Sequence, residues 1–178
     1  MSLSSITPLP SKPRPHTGPA SPEEPAAFGI ASTLLPVRLV LQWGESVPGA
    51  LFLRKAPSPQ REPETVGARL NEPDAQFLPF AAAGRVELVR LSAVAYLEHA
   101  GELPEVARLR ELGAAAEPVE IDLMTGETVE GELLAIAPPD RRRLSDLLNR
   151  GETFLPLVSS GRTLYVNRDA MARVRGRE

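Results

Sequence analysis

Residues 36–52, PVRLVLQWGESVPGALF, and residues 118–134, PVEIDLMTGETVEGELL, are two versions of one segment, identical at eight of 17 positions with an offset of 82. After a variable loop the match resumes. Residues 76–84, QFLPFAAAG, lie over residues 153–161, TFLPLVSSG, and Arg85, Val89, Ala93 and Ala95 lie over Arg162, Val166, Ala170 and Ala172. The offset there is 77, so the loop of the first copy is five residues longer. Ordered matches on both sides of the loop establish a duplicated module of about 60 residues, and the fold of the chain is that of the module used twice.

Each copy reads as five short strands. Val37, Leu39 and Leu41 alternate with Arg38, Val40 and Gln42, and Val119, Ile121 and Leu123 alternate with Glu120, Asp122 and Met124, the period-2 mark of a half-buried strand. Gly44-Glu45 and Gly126-Glu127 turn the chain into a second strand, inside which Gly49 and Gly131 mark a sharp bend or a close crossing of backbones. The third strand, residues 77–80 and 154–157, carries a proline that predicts a sheet edge or a bulge. Residues 85–89 with 93–97, and 162–166 with 170–174, give two further strands around turns at Leu91-Ser92 and Arg168-Asp169. Five short, tightly turned strands predict a small barrel of the SH3-like kind in each copy.

Working outward, Leu103, Val106, Leu109 and Leu112 recur at helical spacing, with Pro104 in the first turn and Gly113 at the end, so a short amphipathic helix joins the copies. The first 35 residues hold seven prolines among Ser, Thr and Gly, a composition that predicts a disordered tail. The expected organisation is therefore a tail over 1–35, a barrel over 36–100, a linker helix over 101–117 and a second barrel over 118–178.

The 178 residues carry 42% apolar and 24% charged side chains with a net charge of −3, as soluble globular proteins do. No apolar run approaches the ~18–20 residues of a membrane span, and no basic start with an apolar core forms a secretory signal, so a cytoplasmic protein is expected. Without cysteine there is no disulfide, thiolate metal site or cysteine nucleophile. The two histidines, His16 and His99, are far apart in sequence and suggest no imidazole pair. Only Lys12 and Lys55 among 20 basic residues are lysine and 19 residues are proline, a bias of GC-rich bacterial coding rather than of chemistry.

The strand order around the Gly turn and the string LYVNRDAMARV in copy two resemble the Sm-like barrel family, which includes the bacterial RNA chaperone Hfq. The Tyr, Lys, His and Ala of that family's second motif fall on Asn167, Arg168, Asp169 and Ala170, and in copy one on Arg90, Leu91, Ser92 and Ala93. The resemblance implies two tandem Sm-like barrels and RNA binding through Arg143, Arg150, Asn167 and Arg168. Residues 143–149, RLSDLLN, followed by FLPL at 154–157, also resemble a family of short uncharacterised bacterial proteins, which implies no activity.

Polar decoration differs between the copies. Copy two has Arg143, Ser145, Asp146 and Asn149 where copy one has Thr65, Gly67, Ala68 and Asn71, and Asn167, Arg168 and Asp169 where copy one has Arg90, Leu91 and Ser92. Ser145 reads as a helix N-cap, Asp146 as its acidic first turn and Asn149 or Gly151 as its end. Arg141-Arg142-Arg143 has the fork chemistry to hold phosphate or carboxylate. A binding surface of Arg143, Ser145, Asp146, Asn149, Asn167, Arg168 and Asp169 is expected, with Asp146 and Arg168 close enough to interact. No phosphate loop, serine elbow or zinc pattern occurs, so the expectation is a non-enzymatic interaction module without cofactor or metal. A protein partner or self-association through unpaired strand edges is expected, with RNA as the alternative.

Overall fold

The computed structural model describes residues 32–177 apart from 57, 59, 137, 139–142 and 150. Ten strands run in chain order as β1 (Ser32–Leu41), β2 (Ser46–Arg54), β3 (Phe77–Ala82), β4 (Arg85–Arg90), β5 (Val94–His99), β6 (Ala115–Leu123), β7 (Thr128–Ala135), β8 (Phe154–Ser159), β9 (Arg162–Asn167) and β10 (Met171–Gly176). Three short helices join them: α1 (Val66–Leu70), α2 (Pro104–Glu111) and α3 (Leu144–Leu148). The duplication is visible element by element, since β1–β5 with α1 repeat as β6–β10 with α3.

All ten strands belong to one antiparallel sheet in the order β10-β6-β7-β8-β9-β5-β1-β2-β3-β4. Within each repeat the fifth strand returns beside the first, and the repeats join where β5 of one pairs with β9 of the other. In place of closed barrels the strands form one continuous sheet that does not close. The reason is the one that governs every sheet, that a strand edge carries unpaired N–H and C=O groups, and here the two inner edges satisfy each other.

The alternating pattern of β1 and β6 becomes a half-buried strand as read, with Leu39, Val119 and Ile121 fully buried. Two apolar clusters form, and each borrows from the other repeat: Leu134, Phe154 and Tyr165 pack into the first, Val40, Ala95 and Tyr96 into the second. Both β3–β4 and β8–β9 hairpins turn on two residues of positive φ, Ala83-Gly84 (48°, 76°) and Ser160-Gly161 (48°, 76°), the left-handed pair that suits the right-handed twist of a hairpin.

Several boundaries move. The tail expected over 1–35 lies outside the described residues except for 32–35, which open β1. The linker helix is shorter than 101–117, because residues from Ala115 already extend β6. In it Leu103 and Val106 are buried, whereas Leu112 is exposed. The proline-bearing strands β3 and β8 are internal rather than edge strands. Pro79 faces Leu88 of β4, and β2 pairs β3 only through Ala50↔Ala81 and Leu51↔Phe80, so the proline sits just past that pairing, where no N–H is required. No helix among the described residues is long and apolar enough to cross a membrane.

Gly49 and Gly131 mark close backbone crossings. A Cβ at Gly49 would overlap the carbonyl oxygen of Ala81, and one at Gly131 that of Val158. Since the obstacle is backbone, no rotamer change relieves it. Gly131→Val should lower stability by about 1–3 kcal/mol, read as a lower denaturant midpoint; an unchanged midpoint in chemical unfolding contradicts the crossing.

Candidate functional site

The seam between the repeats defines what an edge of this sheet is built to hold. β5 and β9 pair as Tyr96↔Val166, Leu97↔Tyr165, Glu98↔Leu164 and His99↔Thr163. Alternation sends Leu164 and Val166 into the second cluster and Tyr165 into the first. Burying a large apolar side chain in this way contributes about 1.5–3 kcal/mol.

Polar groups then fix the register. Asn71 closes α1 and uses its whole side-chain amide: Nδ2 donates to the carbonyls of Gly67 (3.1 Å) and Phe154 (3.0 Å), and Oδ1 accepts from the N–H groups of Thr153 (2.9 Å) and Phe154 (2.8 Å). Thr163 donates to the carbonyl of Gly101 (2.9 Å) and accepts from Leu103 N–H (3.2 Å). The Tyr165 hydroxyl donates to Glu105 Oε1 (2.7 Å), which also accepts from Gly67 N–H (3.0 Å). A Cβ on Gly67 would come within 3.1 Å of that hydroxyl, so the glycine makes room for the phenol. On the other face Tyr96 donates to Glu127 at 3.0 Å.

Both seam phenols hold their protons tightly. Burial, and then the hydrogen bond to Glu127, pushes Tyr96 up to about 12. Burial, followed by Glu105, pushes Tyr165 up as well.

At the outer end of the first repeat the same positions have no partner strand. Phe77, Val86 and Leu88 are 50%, 38% and 61% exposed, whereas their counterparts Phe154, Thr163 and Tyr165 are 1%, 0% and 3% exposed. Three large apolar or β-branched side chains therefore line the outside of β3 and β4 where the seam buries its own. Single exposed apolar residues are ordinary; a row of three beside an unpaired strand edge is not.

The residues expected to form a polar site are only partly brought together. Arg143 precedes α3 and is the cap residue in place of Ser145, with no side-chain cap bond, so Ser145 lies inside the helix. Asp146 occupies the first turn, and Asn149 closes the helix, its Nδ2 donating to Ser145 O (2.8 Å). Arg168 reaches α3, its Nη1 donating to Leu148 O at 3.4 Å. Asp146 and Arg168 form no ion pair, and Asp169 offers its backbone N–H to Asn167 Oδ1 (2.9 Å). Asn167 is 1% exposed, with Nδ2 donating to Val94 O (2.8 Å) across the seam. It is thus a structural clamp, because both polar atoms are committed and no solvent-facing atom remains. Arg141, Arg142 and Arg150 lie outside the described residues.

The sequence reading missed Asn71, Tyr165 and the row Phe77, Val86 and Leu88. Their signal lay in the repeat itself, in the apolar residues of copy one that stand where copy two has Thr163 and Tyr165. No protein-family model, no curated protein and no solved structure matches the chain.

Two measurements follow from this geometry. Asn71→Ala strands two backbone N–H groups at the seam and should cost about 1–3 kcal/mol, while Asn149→Ala, with one exposed cap bond, should stay within about 0.5 kcal/mol; equal losses in denaturant titrations contradict the clamp. A phenol whose pKa is raised on folding contributes stability that is complete below its unfolded value near 10 and lost as pH rises toward the folded value. Stability should therefore fall between about pH 10 and 12, and Tyr96→Phe should flatten that fall in pH-dependent unfolding; an unchanged slope contradicts it.

Proposed function

We propose that the chain is a non-enzymatic docking module, two Sm-like repeats fused edge to edge, whose working surface is the outer edge of β4. The Sm-like reading is supported by the strand order, identical in both repeats, with the fifth strand beside the first. The docking reading is carried by one observation: Phe77, Val86 and Leu88 are exposed at the very places where the seam buries Phe154, Thr163 and Tyr165.

An edge of this kind takes an added strand. Main-chain hydrogen bonds supply affinity, and alternate side chains supply selectivity. The seam gives the pattern of the guest, an extended segment that presents apolar residues to Phe77 and Leu88 and leaves its other face toward solvent or the sheet. RNA binding through Arg143, Arg150, Asn167 and Arg168 is the weaker reading, since Asn167 has spent both polar atoms and the Arg168 guanidinium turns back to Leu148 O.

A synthetic peptide of residues 92–103, which carries the β5 sequence together with the Gly101 and Leu103 groups that hold Thr163, is the direct probe. Added in millimolar amounts to the dilute full chain, it should shift backbone NMR signals of residues 85–90 and slow their amide exchange, and Leu88→Lys should abolish both effects. An unperturbed β4 at saturating peptide overturns the docking reading.

A further inference from the structure

We propose that residues 21–31 of the same chain cover the outer face of the β3–β4 hairpin, in the place over the first repeat that α2 holds over the second. The cover lies on side chains and leaves the backbone edge of β4 open, so it goes beyond the strand docking described above and is tested apart from it.

Internal duplication supplies the placement. β1 and β6 enter their hairpins at equivalent pairs, Thr33↔Leu53 and Ala115↔Ala135. The offset of 82 continues upstream and lays Pro22-Glu23 on Pro104-Glu105 and Ile30 on Leu112. The same number of residues separates each Pro-Glu pair from its strand, so a segment that enters β1 as α2 enters β6 reaches β4 as α2 reaches β9. There α2 meets Thr163, which accepts from Leu103 N–H, and Tyr165, whose hydroxyl donates to Glu105. Their counterparts are Val86 and Leu88, exposed beside Phe77.

The residues that differ between α2 and this segment follow the change of neighbours. Toward the first repeat, α2 carries Leu103 and Val106, buried in the first cluster, and Arg108, paired with Glu62. Their counterparts Ser21, Glu24 and Ala26 ask for neither an apolar core nor an acidic partner on that side. Toward the second repeat, Arg110 Nη2 donates to Glu132 on β7 at 2.7 Å. Here both members change together, since Phe28 stands for Arg110 and Ala50 for Glu132. Ala50 pairs with Ala81, and Ala81 with Val86, so an apolar floor runs from β2 to β4 beneath the place of the Phe28 ring. Glu23 keeps the place of Glu105, where Leu88 offers no hydroxyl. Arg90, two residues along the same face of β4, is exposed and in no ion pair among the described residues, and it supplies the opposite charge.

Covalent attachment favours the chain's own segment over a separate partner on this face. A short tether holds its end at an effective concentration on the order of millimolar, so a small apolar contact suffices to keep it in place. A guest strand and this cover share the surface as β5 and α2 share β9, one along the edge and the other on the face.

A spin label on the full chain tests the proposal. The chain has no cysteine, so Glu24→Cys carries a single nitroxide. The expected result is a paramagnetic loss of backbone NMR signal that is largest at Ala50 and residues 77–90, and Phe28→Asp in the same labelled chain should return those signals while the folded circular dichroism spectrum is kept. No loss at residues 77–90, or a loss that Phe28→Asp leaves unchanged, overturns the cover. In a mixture of labelled chain with isotope-enriched wild-type chain, the enriched chain should keep its signals; loss at residues 77–90 there assigns the cover to another molecule and overturns the proposal as well. The 92–103 peptide separates this inference from the docking reading: peptide binding without the cover removes only the cover, and the cover without peptide binding removes only the docking edge.

Discussion

The pairing of β5 with β9 is the constraint on which the rest of the molecule depends. Two five-stranded repeats standing alone would each expose two strand edges, and backbone N–H and C=O groups left unpaired and desolvated are costly. Joining the inner edges reduces four edges to two and lets each repeat lend side chains to the other's core. Leu134, Phe154 and Tyr165 complete the first cluster, and Val40, Ala95 and Tyr96 complete the second. The repeats are therefore not beads on a linker; neither core is whole without its neighbour.

That same junction gives the two repeats different tasks. In the second repeat Thr163, Tyr165 and Asn167 are buried by the seam and their polar atoms are satisfied there. In the first repeat the corresponding Val86, Leu88 and Arg90 face outward. A duplicated surface thus serves once as internal cement and once as an open edge. The polar decoration that distinguishes copy two, from Asn149 to Arg168, lies in the second repeat around α3 and the turn before β10, with Asn167 at the seam.

Much of the fold is legible in the sequence because its determinants are local. The period-2 alternation of β1 and β6 and the Gly44 and Gly126 turns declare themselves in a few residues. The close crossings at Gly49 and Gly131 are announced by glycine inside an apolar strand, where only the absence of a Cβ explains the choice. The joining of the repeats is not local: Tyr96 and Val166 are far apart in the chain, and nothing in either segment says which of several free edges will meet. For the same reason Asn167 reads as an exposed polar residue next to a turn, and only the seam makes it a buried clamp on Val94. Asn71 and Asn149 look alike in sequence, while one carries four hydrogen bonds and the other a single cap bond.

The central claim is that β4 is an open copy of a surface that β9 keeps closed. Amide hydrogen exchange compared position by position between residues 85–90 and residues 162–167 of the full chain tests it most directly. The account predicts slow exchange along β9 and fast exchange along β4. Equal protection of the two strands would contradict it.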